Sequence, residues 1–142
     1  MLSKSKHPTA GSTQGTCLIV EDSSFDQEKL RRILNRSFQD LHVVVAKDLA
    51  QAREVLDDQH VTLILLDNNL PDGDGGSFAL ELSKDPKKSM IPVVIVSDWP
   101  SPFMFHKAEQ AGVRHVVSKS DFGARFVHSA LKGAPGKRQR LA

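Results

Sequence analysis

Short unbroken apolar runs alternate along the chain with longer stretches whose apolar residues recur every three or four positions. The runs cover about Thr16–Glu21, His42–Ala46, Val61–Leu66, Val93–Val96 and His115–Ser118, and they are dominated by Val, Ile and Leu. Runs this short and this rich in β-branched residues read as strands buried on both faces. Between them, Ser23 or Ser24 caps a predicted helix reaching about Phe38, with Leu30, Ile33 and Leu34 on one side. Asp48 caps a second helix whose inward face offers Leu49, Ala52, Val55 and Leu56. The loop DNNLPDGDG follows the third strand and leads into a helix from about Gly76 to Lys84. A fourth helix is predicted over about Ser101–Ala111, and a fifth from an Asp121 cap to Lys132, stopped by Gly133.

Five strand–helix units in succession predict an α/β domain: a parallel five-stranded sheet, right-handed crossovers and helices on both faces. The flavodoxin-like strand order 2-1-3-4-5 is the common solution at this size. The chain of 142 residues fits one such domain over 16–133, between a polar segment at 1–15 and a basic tail at 134–142. Both ends are expected to be flexible and solvated, and they suit a complete single-domain protein. The formal charge of +2 hides an asymmetry. Lys4, Lys6, Lys132, Lys137, Arg138 and Arg140 lie at the ends, leaving 13 basic and 17 acidic residues over 16–131, a net −4. A tail with so few charges and no aromatic residue does not predict nucleic-acid binding. No apolar stretch is long enough for a membrane span, and no leader segment is evident, so a cytoplasmic protein is expected. The single Cys17 falls inside the first strand, where it reads as a small buried hydrophobe.

The chemistry lies at the ends of the strands. The first runs into Glu21 and Asp22, the third into Asp67, the fourth into Ser97 and the fifth into Lys119. Parallel strands joined by crossovers deliver their carboxyl ends to one side of the sheet, where ligands bind. Three acids brought there repel one another, and protonation, a lysine or a hard divalent cation has to compensate. Acids, a cation and a lysine together suit a transferring phosphoryl group, and one carboxylate can itself be the nucleophile. Asp67 stands alone at the end of the central strand and is the candidate, with Ser97 as a hydrogen-bond donor to the bound group.

On these residues the stretch 16–132 resembles the receiver domains of two-component response regulators. The family's acidic pair matches Glu21 and Asp22, and its phospho-accepting aspartate with the following x-x-h-P-x-x-x-G matches Asp67, Leu70, Pro71 and Gly75. Its Ser/Thr matches Ser97 and its lysine Lys119, at separations of 30 and 22 residues. The resemblance implies phosphorylation of Asp67 by a histidine kinase or histidine phosphotransferase, and Mg²⁺ held by Asp22, Asp67 and the carbonyl of Asn69. Glu21 would act on the metal through water. It also implies a switch in contacts with a downstream protein, and no catalysis beyond the domain's own phosphorylation and dephosphorylation.

Three positions depart from the family's pattern. Asp98 follows Ser97 where a small residue is usual, Ser120 replaces the proline after the lysine, and Val116 replaces the aromatic switch. They motivate an alternative, a receiver-shaped binding module that works without phosphorylation. A flavodoxin-like cofactor protein is the third reading, and acids this dense oppose it by repelling a flavin phosphate. Asp72 and Asp74 read as turn and cap residues, lacking the twelfth-position Glu of a calcium loop. Phe103, Met104 and Phe105 are expected to pack mainly into the core. Trp99, two residues beyond Ser97, is expected near the path of water to the site.

Overall fold

The computed structural model describes residues 15–133. Its elements in chain order are β1 (Gly15–Val20), α1 (Ser24–Ser37), β2 (Leu41–Ala46), α2 (Leu49–Asp58), β3 (Leu63–Leu66), β4 (Asn69–Leu70), β5 (Gly73–Asp74), α3 (Gly75–Ser83), β6 (Val93–Ser97), α4 (Pro102–Gln110), β7 (His115–Ser118) and α5 (Ala124–Lys132). The expected N-terminal segment, apart from Gly15, and the expected basic tail at 134–142 lie outside the described residues.

Five strands form one sheet in the order β2-β1-β3-β6-β7, every neighbouring pair parallel. Counting only these five, the order is the predicted 2-1-3-4-5. Alternate strand residues separate into two cores. Leu18, Val20, Ile64 and Leu66 face α2, α3 and α4 through Leu49, Leu56, Phe78, Leu82 and Met104. Cys17, Ile19, Leu63 and Leu65 face α1 and α5 through Leu30, Leu34, Val127 and Ala130. Two covered faces explain why the strands read as unbroken apolar runs.

The caps are mostly where the chain's polar residues place them. Ser23, Asp48, Asp74 and Ser101 each accept from a backbone N–H in the first turn of α1, α2, α3 and α4. Asp72 adds a cap from a distance, accepting from the N–H groups of Leu49 and Ala50 at 2.9 and 3.0 Å. The turn-and-cap reading of Asp72 and Asp74 therefore holds.

Three local expectations are corrected. Asp121 does not cap α5: the chain turns through Ser120 and Asp121, with the Asp121 and Phe122 N–H groups donating to Ser118 O, both at 3.1 Å. That turn buries Phe122, so the helix starts only after Gly123, which makes no side-chain cap. On α4, only Met104 of the apolar trio is buried; Phe103 is 69% exposed and Phe105 49%. Met104 and Ala108 share the inward side at helical spacing, which turns both neighbours of Met104 outward. Finally, the loop after Asp67 contains an antiparallel pair, Asn69 with Asp74 and Leu70 with Gly73, closed by Pro71-Asp72. An L-P-D-G stretch is a two-residue turn signal that accounts for it.

Candidate functional site

Hydrogen-bond register carries the strand-end residues to one rim. Val20 pairs with both Ala46 and Leu66, so Glu21 and Asp67 leave the sheet side by side. The Asp67 N–H donates to Val20 O at 3.0 Å and the Glu21 N–H to Ala46 O at 3.0 Å. Ser97 closes β6 opposite Ser118, and the Lys119 N–H donates to Ser97 O at 2.8 Å. Glycine is required where the loop returns: a Cβ on Gly75 would collide with the carbonyl oxygen of Asp67. The Gly75 N–H instead approaches closely enough to donate to Asn68 O at 2.8 Å.

Glu21, Asp67 and Ser97 are the buried polar side chains of the described residues. Carboxylate oxygens of Glu21, Asp22 and Asp67 lie within 4.8 Å of one another. The Lys119 ammonium, only 11% exposed, reaches Asp26 Oδ2 at 2.7 Å, Glu21 Oε1 at 2.9 Å, Asp67 Oδ1 at 3.7 Å and Asp98 Oδ2 at 3.8 Å. The contact with Asp26 is a hydrogen bond. That with Glu21 is an ion pair off hydrogen-bond alignment, which leaves Oε1 buried without a hydrogen-bond partner. Glu21 Oε2 accepts from the Ser23 N–H at 2.9 Å.

Burial, and then the Glu21 charge beside it, pushes the Asp67 carboxyl up to about 6, against the pull of Lys119 and of the Asn68 and Asn69 N–H groups. Burial likewise raises Glu21, with Lys119 and the Ser23 N–H opposing. For Lys119 burial works toward a lower value, but the contacts with Asp26 and Glu21 and the Asp67 charge outweigh it and raise the ammonium above the lysine range. One ammonium thus serves four carboxylates. A buried, hydrogen-bond-deficient carboxylate oxygen beside two other acids is the donor set of a hard divalent cation, which takes oxygen ligands and keeps water. The residues present fit such an ion.

Of the residues singled out in the sequence, Glu21, Asp22, Asp67 and Lys119 meet in one cluster. Ser97 is joined to Lys119 through the backbone, and its hydroxyl accepts from the Trp99 N–H at 3.3 Å. Asn69 opens the small hairpin two residues beyond Asp67. Asp98 has a side chain 58% exposed, with Oδ2 3.8 Å from the Lys119 ammonium. Val116 packs into the core on the α4 side of the sheet, and Ser120 is exposed with no cis peptide bond among the described residues. Trp99 is 85% exposed. Asp26, in the first turn of α1, was not legible as part of the cluster, because its contact is with a lysine 93 positions away.

The sequence profile described as the response regulator receiver domain matches residues 17–131. The two-component response regulator ORR8 of Oryza sativa subsp. indica is 30% identical over 103 residues, covering 72% of this chain and 84% of the rice protein. Among solved structures, the Mn²⁺-bound form of response regulator Rcp1 aligns with TM-score 0.69 and 26% identity, covering 82% of this chain and 89% of that one. The phosphorylated cyanobacterial phytochrome response regulator RcpA aligns with TM-score 0.70 and 25% identity, covering 84% and 90%. No helix of the described residues is long and apolar enough to cross a membrane.

Proposed function

Because this chain belongs to the response regulator receiver domain family, we propose that Asp67 is its phospho-acceptor and that a histidine kinase or histidine phosphotransferase is the donor. The observation that carries the reading is the Asp67 carboxylate, buried at the rim with Lys119 Nζ 3.7 Å away and two further acids beside it. A carboxyl pushed up to about 6 is still mainly ionised at neutral pH, and burial keeps it poorly solvated, which suits a nucleophile.

In the transfer, an Asp67 oxygen forms the new O–P bond while the P–N bond of the phosphohistidine breaks. Its electron pair returns to the imidazole, which takes a proton from solvent. Hydrolysis reverses the charge: water attacks phosphorus, inorganic phosphate leaves and the Asp67 carboxylate is restored. Asp22 and Asp67 with the Asn69 carbonyl would hold Mg²⁺ there, with Glu21 acting through water, and the ion would supply charge neutralisation to the phosphoryl oxygens. The Lys119 ammonium adds a second positive charge, and the Ser97 hydroxyl turns from its bond with the Trp99 N–H to donate to the phosphoryl. Moving that hydroxyl draws on the β6–α4 connection and changes the α4 surface, which would switch contact with a downstream protein. In this reading the protein acts by contact and performs no chemistry beyond its own phosphorylation and dephosphorylation.

Incubation with acetyl phosphate and Mg²⁺, followed by intact-mass measurement, tests the proposal. The native chain gains one phosphoryl group and Asp67→Asn gains none. A native chain that stays at its original mass while binding the cation would leave the reading without support.

A further inference from the structure

Asp26 is not among the residues that the resemblance supplies, yet it makes the shortest contact of the Lys119 ammonium, a 2.7 Å hydrogen bond. Asp67, at 3.7 Å, is beyond hydrogen-bond reach of the same ammonium. We propose that Asp26 is a positioning residue for Lys119, holding the ammonium in a resting seat and competing for it with the phosphoryl group on Asp67. The inference rests on Asp67 being the phospho-acceptor.

The seat is built by α1. Ser23 caps the helix by accepting from the Asp26 N–H at 3.3 Å, which fixes the backbone from which the carboxylate reaches across. One turn further on, Lys29 Nζ donates to the carbonyl of Lys119 at 3.4 Å. The helix thus holds residue 119 at both its backbone and its head. The Asp26 side chain is 22% exposed and that of Lys119 11%, so the pair is better shielded than a surface ion pair and its geometry carries more weight. A phosphoryl group adds negative charge and acceptor oxygens beside Asp67. To meet them, the ammonium has to lengthen or give up its bond to Asp26, exchanging one charge-assisted hydrogen bond for another. Asp26 therefore opposes the phosphorylated arrangement, and Lys119 is the element through which it does so.

Rates of phosphoryl uptake from acetyl phosphate and Mg²⁺, read by intact mass, are to be compared among the native chain, Asp26→Asn, Asp26→Glu and Lys119→Met, with Asp26→Asn repeated in the Lys119→Met background. Asp26→Asn should speed uptake by roughly three- to tenfold, the worth of one shielded charged hydrogen bond. Asp26→Glu should return the rate toward native, and the acceleration should vanish in Lys119→Met. In the unphosphorylated protein, the ¹⁵N-ammonium resonance of Lys119, assigned by its loss in Lys119→Met, should move in Asp26→Asn and return in Asp26→Glu. An unchanged rate or resonance in Asp26→Asn overturns the inference while Asp67 remains the acceptor. Equal acceleration with and without Lys119 also overturns it, since loss of charge alone would then be the cause. If Lys119→Met takes up no phosphoryl group, the resonance decides. If the native chain takes up none, the proposed function fails first and takes this inference with it.

Discussion

Asp67 is ionised against its surroundings, and that has a consequence measurable without any phosphodonor. Burial and the Glu21 charge raise its carboxyl from the ordinary 3.8 to about 6. Between those values the folded chain binds more protons than the unfolded one, so this group's contribution to stability falls as pH rises from about 4 to about 6. Above that range the full penalty remains. Asp67→Asn is therefore expected to stabilise the protein in EDTA at pH 7 by about 1–2 kcal/mol, with the gain gone at pH 4. Urea midpoints of the two proteins at both pH values check this, and a variant less stable at pH 7 would contradict it. Asp74 has the opposite sign. Burial acts to raise it, but its bonds from the Ser77 N–H and hydroxyl and the charge of Lys107 win and lower it. Its contribution is present above the unfolded value and is lost as pH falls through the lowered one. Glu21, Asp22, Asp67 and Lys119, which the fold gathers into one cluster, were visible in the chain because each follows an apolar run. Asp26 was not, because its role depends on a lysine 93 positions away.

Single elements hold the rim in place. α3 begins immediately after the hairpin, with Asp74 accepting from the Ser77 N–H at 2.9 Å and from its hydroxyl at 2.9 Å. Asp74→Ala should cost about 1 kcal/mol, the usual worth of an N-cap, seen as a lower urea midpoint with unchanged slope. Gly75→Ala forces a methyl group against the Asp67 carbonyl, and overpacking of this kind costs about 1–3 kcal/mol. Because the loop carrying Asp67 has to shift, Gly75→Ala should also slow phosphoryl uptake, whereas Asp74→Ala should lower stability more than rate. The existence of every helix and of each strand of the five-stranded sheet was legible from periodicity and caps, whereas the β4–β5 pair was not. The late start of α5 was not, since Asp121 is as good a cap residue as Asp48. Only the need to bury Phe122 against the sheet decides that the chain turns once more before the helix begins. Likewise the sequence of α4 shows three apolar neighbours, and helical geometry allows the core only Met104.

At the scale of the whole molecule, the acid cluster sets charge repulsion against the Lys119 ammonium and, under the proposed function, against a bound divalent cation. A divalent cation that binds only the folded chain should raise stability by about 2.7 kcal/mol at a hundredfold excess over its dissociation constant. Thermal or urea denaturation with Mg²⁺ against EDTA checks this, and Asp22→Ala should remove most of the gain. Equal midpoints with and without the ion would mean that the carboxylates are satisfied by Lys119 alone. Apolar spacing by itself determined that this chain makes strands and helices in alternation, that the sheet is parallel and covered on both faces, and which polar residues finish each strand. These follow from local propensity and from the fact that a strand buried on both sides has to be apolar throughout. Tertiary structure alone decided which carboxylate takes the ammonium, that Asp98 comes within 3.8 Å of Lys119, and that two phenylalanines of α4 are left outside. Those outcomes depend on side-chain reach across strands and helices distant in sequence, and local spacing carries no information about distances of that kind.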